Sequence, residues 1–375
     1  MYIKREISPL LAERMFGGKA IVLIGARQVG KSTLLRHLVD GRDEKLLELN
    51  CDDPDVRAML SGANMSTLRI LTGDAGIVFI DEAQRVDNIG IVLKMMVDNM
   101  PSVQLLVSGS SSLDLRNRLD EPLTGRKYEY YLYPLSVKEC YEAFGLVGLR
   151  QDLHRRIIYG SYPDVVTHAD NARELLVNLA DSYLYKDLLS FDSVRRPELL
   201  DKLLIALALQ VGSEVSYNEL ARTVGIDAKT IEKYIGLLEK CFVIFRLGAF
   251  SRNPRNEIQK GRKIYFYDTG VRNAIIRNFA TVDLRDDMGA LWENYFIAER
   301  VKYNHYRGRF AKSFFWRTVN GAEVDYVELE DGLVKGFELK WNPRKVSVKA
   351  PRFFSESYGD DFNVITPNNY VEFLL

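Results

Sequence analysis

The stretch Gly25-Ala26-Arg27-Gln28-Val29-Gly30-Lys31-Ser32 constrains what this chain can fold into more than any other. Its spacing is G-x-x-x-x-G-K-[ST], and both flanks suit it. The apolar run Ala20-Ile21-Val22-Leu23-Ile24 reads as a buried parallel strand, and Thr33 to Val39 has helical spacing. A strand, a glycine loop and a helix in that order form a phosphate loop. Gly25 and Gly30 let the backbone approach an anion with no Cβ in the way. The N–H groups of the loop and the first helical turn then face that anion, aided by the helix dipole. The residues expected to cradle ATP are Gly25, Ala26, Arg27, Gln28, Val29, Gly30, Lys31, Ser32 and Thr33. Lys31 is expected to pair with the β- and γ-phosphates, and the Ser32 hydroxyl to ligate magnesium (Mg2+). The competing reading is a glycine turn that merely joins a strand to a helix.

Up to about Tyr133, apolar runs alternate with helical stretches, the pattern of an α/β parallel sheet covered by helices. Strands are expected at Ala20–Ile24, Lys45–Asn50, Ile77–Ile80, Val103–Val107 and Tyr128–Tyr133. The third runs Ile77-Val78-Phe79-Ile80-Asp81-Glu82, an apolar strand ending in two acids, which is the Walker B arrangement. Asp81 is expected to hold the magnesium and Glu82 to polarise the attacking water as general base. The fourth runs into Ser108-Gly109-Ser110-Ser111. Ser108, or second Ser110, is expected between the γ-phosphate and the water, unless these serines simply cap the next helix.

Leu123-Thr124-Gly125-Arg126 lies directly ahead of the fifth strand, and Tyr133-Pro134-Leu135-Ser136 follows it. Together with the phosphate loop, Asp81-Glu82 and the serine turn, this order resembles the prokaryotic AAA-type ATPases of the AAA+ superfamily that carry a C-terminal domain of unknown function. The resemblance implies that Arg126, or less readily Arg118, reaches a neighbouring subunit's γ-phosphate in a homo-oligomer. An internal ion pair, or contact with the chain's own nucleotide, is the alternative for Arg126.

With 375 residues, more than one core is expected. Lysine plus arginine and aspartate plus glutamate number 51 each, so any nucleic-acid surface must be local. Cys51, Cys140 and Cys241 are far apart and odd in number, which excludes a disulfide framework and a cysteine zinc site. The four histidines show no ligand spacing, and no apolar run reaches membrane-spanning length. A cytoplasmic location with no membrane contact is the expectation.

Residues 1–134 are therefore read as the ATPase domain and 135–195 as a helical lid or connector. Residues 196–284 read as a winged helix: an amphipathic helix at Leu199–Leu209, a capping box at Ser216–Glu219, a third helix after Asp227, and two strands flanking a basic loop. Lys229, Thr230 and Lys233 on the third helix, with Arg252, Arg255, Lys260, Arg262 and Lys263 of the loop, are candidates for DNA phosphates. A winged helix used for protein contact is the alternative.

Residues 285–375 hold a helix with Glu293, then Asp325 on one strand and Glu338-Leu339-Lys340 on the next. This order resembles the PD-(D/E)XK nuclease core, without the proline before Asp325. Period-two geometry puts Glu338 and Lys340 on one strand face. Asp325 and Glu293 would join them as a second metal set, with Lys340 orienting water. Asn368 to Leu375 reads as a final strand. The function expected is Mg-dependent ATP hydrolysis that moves a C-terminal half acting on DNA. The alternatives are a nucleotide-controlled switch that binds a protein partner and an ATP-gated nuclease.

Overall fold

The structure is a computed structural model that describes residues 1–109, 119, 122–189, 196–251, 261–318, 321–344 and 349–375. The chain divides into two compact units. One, the P-loop unit, comprises Lys4–Pro134 with Lys240–Phe242. The other, the C-terminal unit, comprises Leu135–Glu239 and Val243–Leu375 with Met1–Ile3.

In the P-loop unit, five strands form a parallel sheet among the described residues: β1 (Ala20–Gly25), β2 (Leu46–Asn50), β3 (Ile77–Asp81), β4 (Gln104–Gly109) and β5 (Lys127–Leu132). The five expected strands are all present, each with ends within two residues of those read from the sequence. Their order is β2-β3-β4-β1-β5. All six residues of β1 are buried, as continuous apolar runs require when helices cover a parallel sheet. Each fully buried Ile, Leu or Val there stabilises the unit by about 1.5–3 kcal/mol. The helix Lys31–Val39 follows β1 after a five-residue loop, with Gly30 at its N-cap.

The C-terminal unit begins with helices at Val137–Gln151, Leu153–Tyr159, Pro163–Thr167 and Ala172–Leu189, matching the helical stretch expected there. Ser136 and Glu139 close a reciprocal capping box on the first of these. Helices Pro197–Leu209, Tyr217–Val224 and Ala228–Lys240 follow. Next come the strands β6 (Glu214–Val215, between the first two of these helices), β7 (Ile244–Ala249) and β8 (Arg262–Phe266). The long helix Met288–Tyr306 leads to β9 (Lys312–Arg317), β10 (Glu323–Glu330), β11 (Leu333–Leu339) and β12 (Phe362–Ile365).

These strands make one seven-stranded sheet among the described residues, in the order β12-β11-β10-β9-β7-β8-β6. The join is between β7 and β9, which run parallel with Gly248 opposite Phe314 and Ala249 opposite Phe315. The Phe250 N–H extends the ladder by donating to the Phe315 carbonyl at 2.6 Å. A hairpin edge left open would expose a row of unpaired backbone groups, and β9 covers it. Phe250 joins Trp316, Val324, Val327 and Phe354 in a shared core.

The strand expected at Asn368–Leu375 is not formed. The last strand is β12, and Tyr370–Phe373 is a short 3-10 turn. The Asn369 side chain explains this, because its Oδ1 accepts from the Thr366 N–H at 2.8 Å and its Nδ2 donates to Val364 O at 2.9 Å. Such local side-chain bonds compete with a ladder. The buried positions Tyr370, Val371 and Leu374 then follow a helical rather than an alternating spacing.

Candidate functional site

Strand order brings the P-loop site together. β4 lies between β1 and β3, so the C-terminal ends of all three strands, carrying Gly25, Asp81 and Ser108, meet at one edge of the sheet. Gly25 has no alternative: a Cβ there would lie 2.2 Å from the Leu132 carbonyl oxygen of β5. Gly30 has φ +93 and Gln28 φ +60, both left-handed, so the loop curls before the helix begins. The Lys31 ammonium donates to the carbonyls of Gly25 at 2.9 Å and Ala26 at 2.8 Å, which places it over the concave side of the loop.

Ser32 Oγ donates to Asp81 Oδ2 at 2.7 Å, across 49 residues of sequence. The two oxygens expected to share a magnesium are therefore neighbours. The buried Ser108 hydroxyl donates to the other carboxylate oxygen, Asp81 Oδ1, while the Glu82 N–H donates to Asp81 Oδ1 at 3.1 Å and to Ser108 Oγ at 3.4 Å. Ser108 thus sits at the junction of the two motifs. Ser110 and Arg118 lie outside the described residues. Glu82 adopts φ +53, a left-handed conformation rare for a residue with a Cβ. Gln84 Nε2 donates to Glu82 Oε2 at 2.5 Å and orients the carboxylate. Beside Asp81, burial pushes the Cys51 thiol up to about 12.

Two residues here were not identified from the sequence. Gln84 is one. Arg5 is the other: it is only 3% exposed, and its guanidinium donates to Val29 O of the loop and to Tyr133 O, each at 2.6 Å. Neither stands in a recognisable motif, and only the packing reveals them. Arg126 forms a surface ion pair with Asp98 at 2.6 Å.

A second charged cluster forms in the C-terminal unit. The Asn294 side chain clasps the backbone of Phe266 in both directions, at 2.7 and 2.8 Å, and so docks its helix on β8. The adjacent Glu293 then accepts from Tyr265 OH at 2.6 Å and from Lys263 Nζ at 3.1 Å. Lys263 also pairs with Glu323 at 2.5 Å. Asp325 lies within a β-bulge-type register shift between Val324 and Val327, and its Oδ2 accepts from the Leu339 N–H at 2.7 Å. Glu338 pairs with Lys340 at 2.5 Å.

Burial, reinforced by the charges of Glu293 and Glu338, pushes the Asp325 carboxyl up to about 8. Burial also raises Glu293, despite its two donors. Burial pulls the Lys340 ammonium down, but the hydrogen bond and charge of Glu338 outweigh it, so its pKa is raised. Glu293, Asp325, Glu338 and Lys340 therefore act electrostatically as one group. Among the described residues, however, no three His, Cys, Asp or Glu side chains are arranged as a metal-holding set.

The loop placement of two expected DNA contacts, Arg262 and Lys263, needs correction, since both lie on β8. Lys263 is not on a solvated loop; it lies on β8 between β7 and β6, is 4% exposed and is held by two glutamates. Lys229 and Lys233 are exposed as expected, and Arg262 stacks over the Tyr217 ring at 5.0 Å. Arg252, Arg255 and Lys260 lie outside the described residues.

Residues 17–141 match the family model described as the AAA domain. The structure is similar to a Walker-type ATPase of Pyrococcus abyssi, with TM-score 0.51 and 18% identity, over 73% of this chain and 96% of that one. The first unit has the fold of a AAA-type P-loop ATPase. Two further models, each described as a domain of unknown function, match residues 150–282 and 288–371. An uncharacterized protein of Mycobacterium tuberculosis is 28% identical over 346 residues, 90% of this chain and 74% of that protein. One of Haemophilus influenzae is 25% identical over 280 residues, 68% of each chain. All three described cysteines are free, and no helix among the described residues is long and apolar enough to cross a membrane.

Proposed function

We propose that this protein binds and hydrolyses ATP with magnesium and uses the cycle to move its C-terminal half. The observation that carries this reading is the bond between Ser32 Oγ and Asp81 Oδ2, which unites the two halves of a metal-phosphate site. The residues fit the absent groups. The loop amides from Ala26 to Thr33 would hold the phosphates, with Lys31 as their counter-charge. Ser32 and Asp81 would hold the magnesium, whose role when bound is to neutralise charge on the phosphate oxygens. Glu82, held by Gln84, would take the proton of the attacking water, and Ser108 would orient that edge of the site. Arg126 is half-exposed and its ion pair with Asp98 lies on the surface, a weak restraint that a neighbouring subunit's phosphate would readily displace. ATP turnover measured on Lys31→Ala and Glu82→Gln variants tests the assignment, and unchanged turnover in both would sink it.

For the C-terminal unit, the three helices followed by β7 and β8 support a winged helix, with Lys229 and Lys233 meeting DNA phosphates. Binding that weakens steeply with salt, and less steeply after Lys229→Ala with Lys233→Ala, is the expected outcome of a gel-shift series. The helix carrying Glu293, followed by the strands carrying Asp325 and Glu338-x-Lys340, supports a nuclease-like fold. A specific observation favours a second reading, a nucleotide-controlled switch that binds a protein partner. Glu293, Glu323 and Glu338 are each already paired with Lys263 or Lys340. DNA-independent hydrolysis with no gel shift would support the switch.

A further inference from the structure

Arg5 is a long way from the phosphate-loop motif in sequence, yet the fold buries its guanidinium directly beneath that loop. Its two outer nitrogens reach two different carbonyls, Val29 O and Tyr133 O, each at 2.6 Å. A Cβ built on Gly30 would lie 3.7 Å from Arg5 Nη1, so the guanidinium closely flanks the peptide joining Val29 to Gly30. That peptide is the consequential one. In a trans peptide the C=O and N–H point in opposite directions. Holding Val29 O down on the guanidinium therefore turns the Gly30 N–H the other way, toward the concave side where Lys31 Nζ lies over Gly25 O and Ala26 O. A glycine at φ +93 has many other conformations open to it, and a loop with the peptide flipped would present a carbonyl where an anion must bind.

The second nitrogen adds an anchor. Gly25 at the start of the loop is paired in register with Leu132 of β5, and Arg5 ties the end of the loop to the next residue, Tyr133. Both ends of the loop are thus fastened to consecutive residues at the C-terminal end of β5. A planar guanidinium suits this task because its fork reaches two acceptors at once, whereas an ammonium is a single point.

We propose that Arg5 is a positioning residue for the polyphosphate group of a nucleotide: it orients the Val29–Gly30 peptide so that the Gly30 amide faces the phosphates, and braces that peptide against the end of β5. The proposal rests on the nucleotide-binding reading given above. The test is calorimetric titration of the full chain with MgADP and MgATP for the native protein and the Arg5→Ala, Arg5→Lys and Lys31→Ala variants, with melting curves recorded without nucleotide. Arg5→Ala is expected to raise Kd by about 10- to 100-fold, as loss of a charge-assisted hydrogen bond would. Arg5→Lys, which keeps the charge and most of the volume, should fall between the two. Added guanidinium at millimolar concentration should tighten binding by Arg5→Ala and leave Lys31→Ala unaltered. Should Arg5→Ala fail to fold, Arg5→Lys carries the test, because a merely structural arginine would lower its melting temperature without changing Kd. Native-like Kd in folded Arg5→Lys and Arg5→Ala, with binding lost in Lys31→Ala, overturns the role of Arg5 alone. Native-like Kd in Lys31→Ala overturns the nucleotide-binding reading itself.

Discussion

The P-loop site and the carboxylate cluster of the C-terminal unit both gather charged side chains at the edge of a sheet, and they do it in opposite ways. At the P-loop site two adjacent acids accept hydrogen bonds from neutral groups. Asp81 is held by the hydroxyls of Ser32 and Ser108, and Glu82 by the Gln84 amide. In the C-terminal cluster Glu293, Glu323 and Glu338 are bonded to lysines, and the remaining acid, Asp325, is pushed up to about 8 by burial and by its acidic neighbours. That cluster neutralises itself.

Substitutions at the two sites should separate them, and the largest effect belongs to Glu82. Glu82→Gln should lower ATP turnover by roughly 10²–10⁴ while MgATP still binds, as loss of a general base does. Glu338→Gln should leave the rate unchanged within error. Equal losses in steady-state assays of the two variants would erase the contrast.

Next in size is a buried pair in the C-terminal unit. Glu328 is bonded to Arg300 at 2.8 and 2.9 Å, and Arg300 holds its carboxyl below the usual range against the opposing effect of burial. Glu328→Ala leaves Arg300 buried without its counter-charge and should cost about 3–5 kcal/mol in denaturant unfolding. Arg300→Met combined with Glu328→Leu should recover most of that loss.

A smaller effect should appear with pH at Asp325. Its folded-state pKa is raised, so between about pH 4 and pH 8 the folded chain holds a proton that the unfolded chain releases. Stability contributed by this group therefore falls as pH rises across that window. Asp325→Asn removes the term, so its melting temperature should gain on the native protein from pH 5 to pH 8. A constant difference across that range would show that the cluster does not hold the proton.

The smallest effect on stability is expected at Arg126. Its side chain and that of Asp98 are 38% and 37% exposed, and such pairs contribute little. Arg126→Ala should leave melting unmoved, while specific activity that rises with protein concentration should lose that dependence if the residue serves a neighbouring subunit.

The P-loop unit was the more legible of the two because its signals are local. A loop that must curl at Gly30 and admit the Leu132 carbonyl at Gly25 has few sequence solutions, so the residues announce the geometry. The apolar runs of buried parallel strands are equally plain. The C-terminal sheet was harder to read. The pairing of β7 with β9 joins residues more than sixty positions apart, and neither strand carries a mark of its partner. Lys263 shows the same limit: within a basic stretch it reads as a solvated cation, and only the strand on either side of β8 buries it.

By itself, the sequence determined the phosphate loop, the acids at the end of β3, the five parallel strands and the helices that follow Gly30, Ser216 and Asp227, since each depends on spacing within one element. The tertiary structure alone decided that Ser108 meets Asp81, that Arg5 lies beneath the loop, and that one sheet runs from β12 to β6. These are contacts between distant segments. They are set by strand order and by the need to satisfy buried polar groups, which no local pattern encodes.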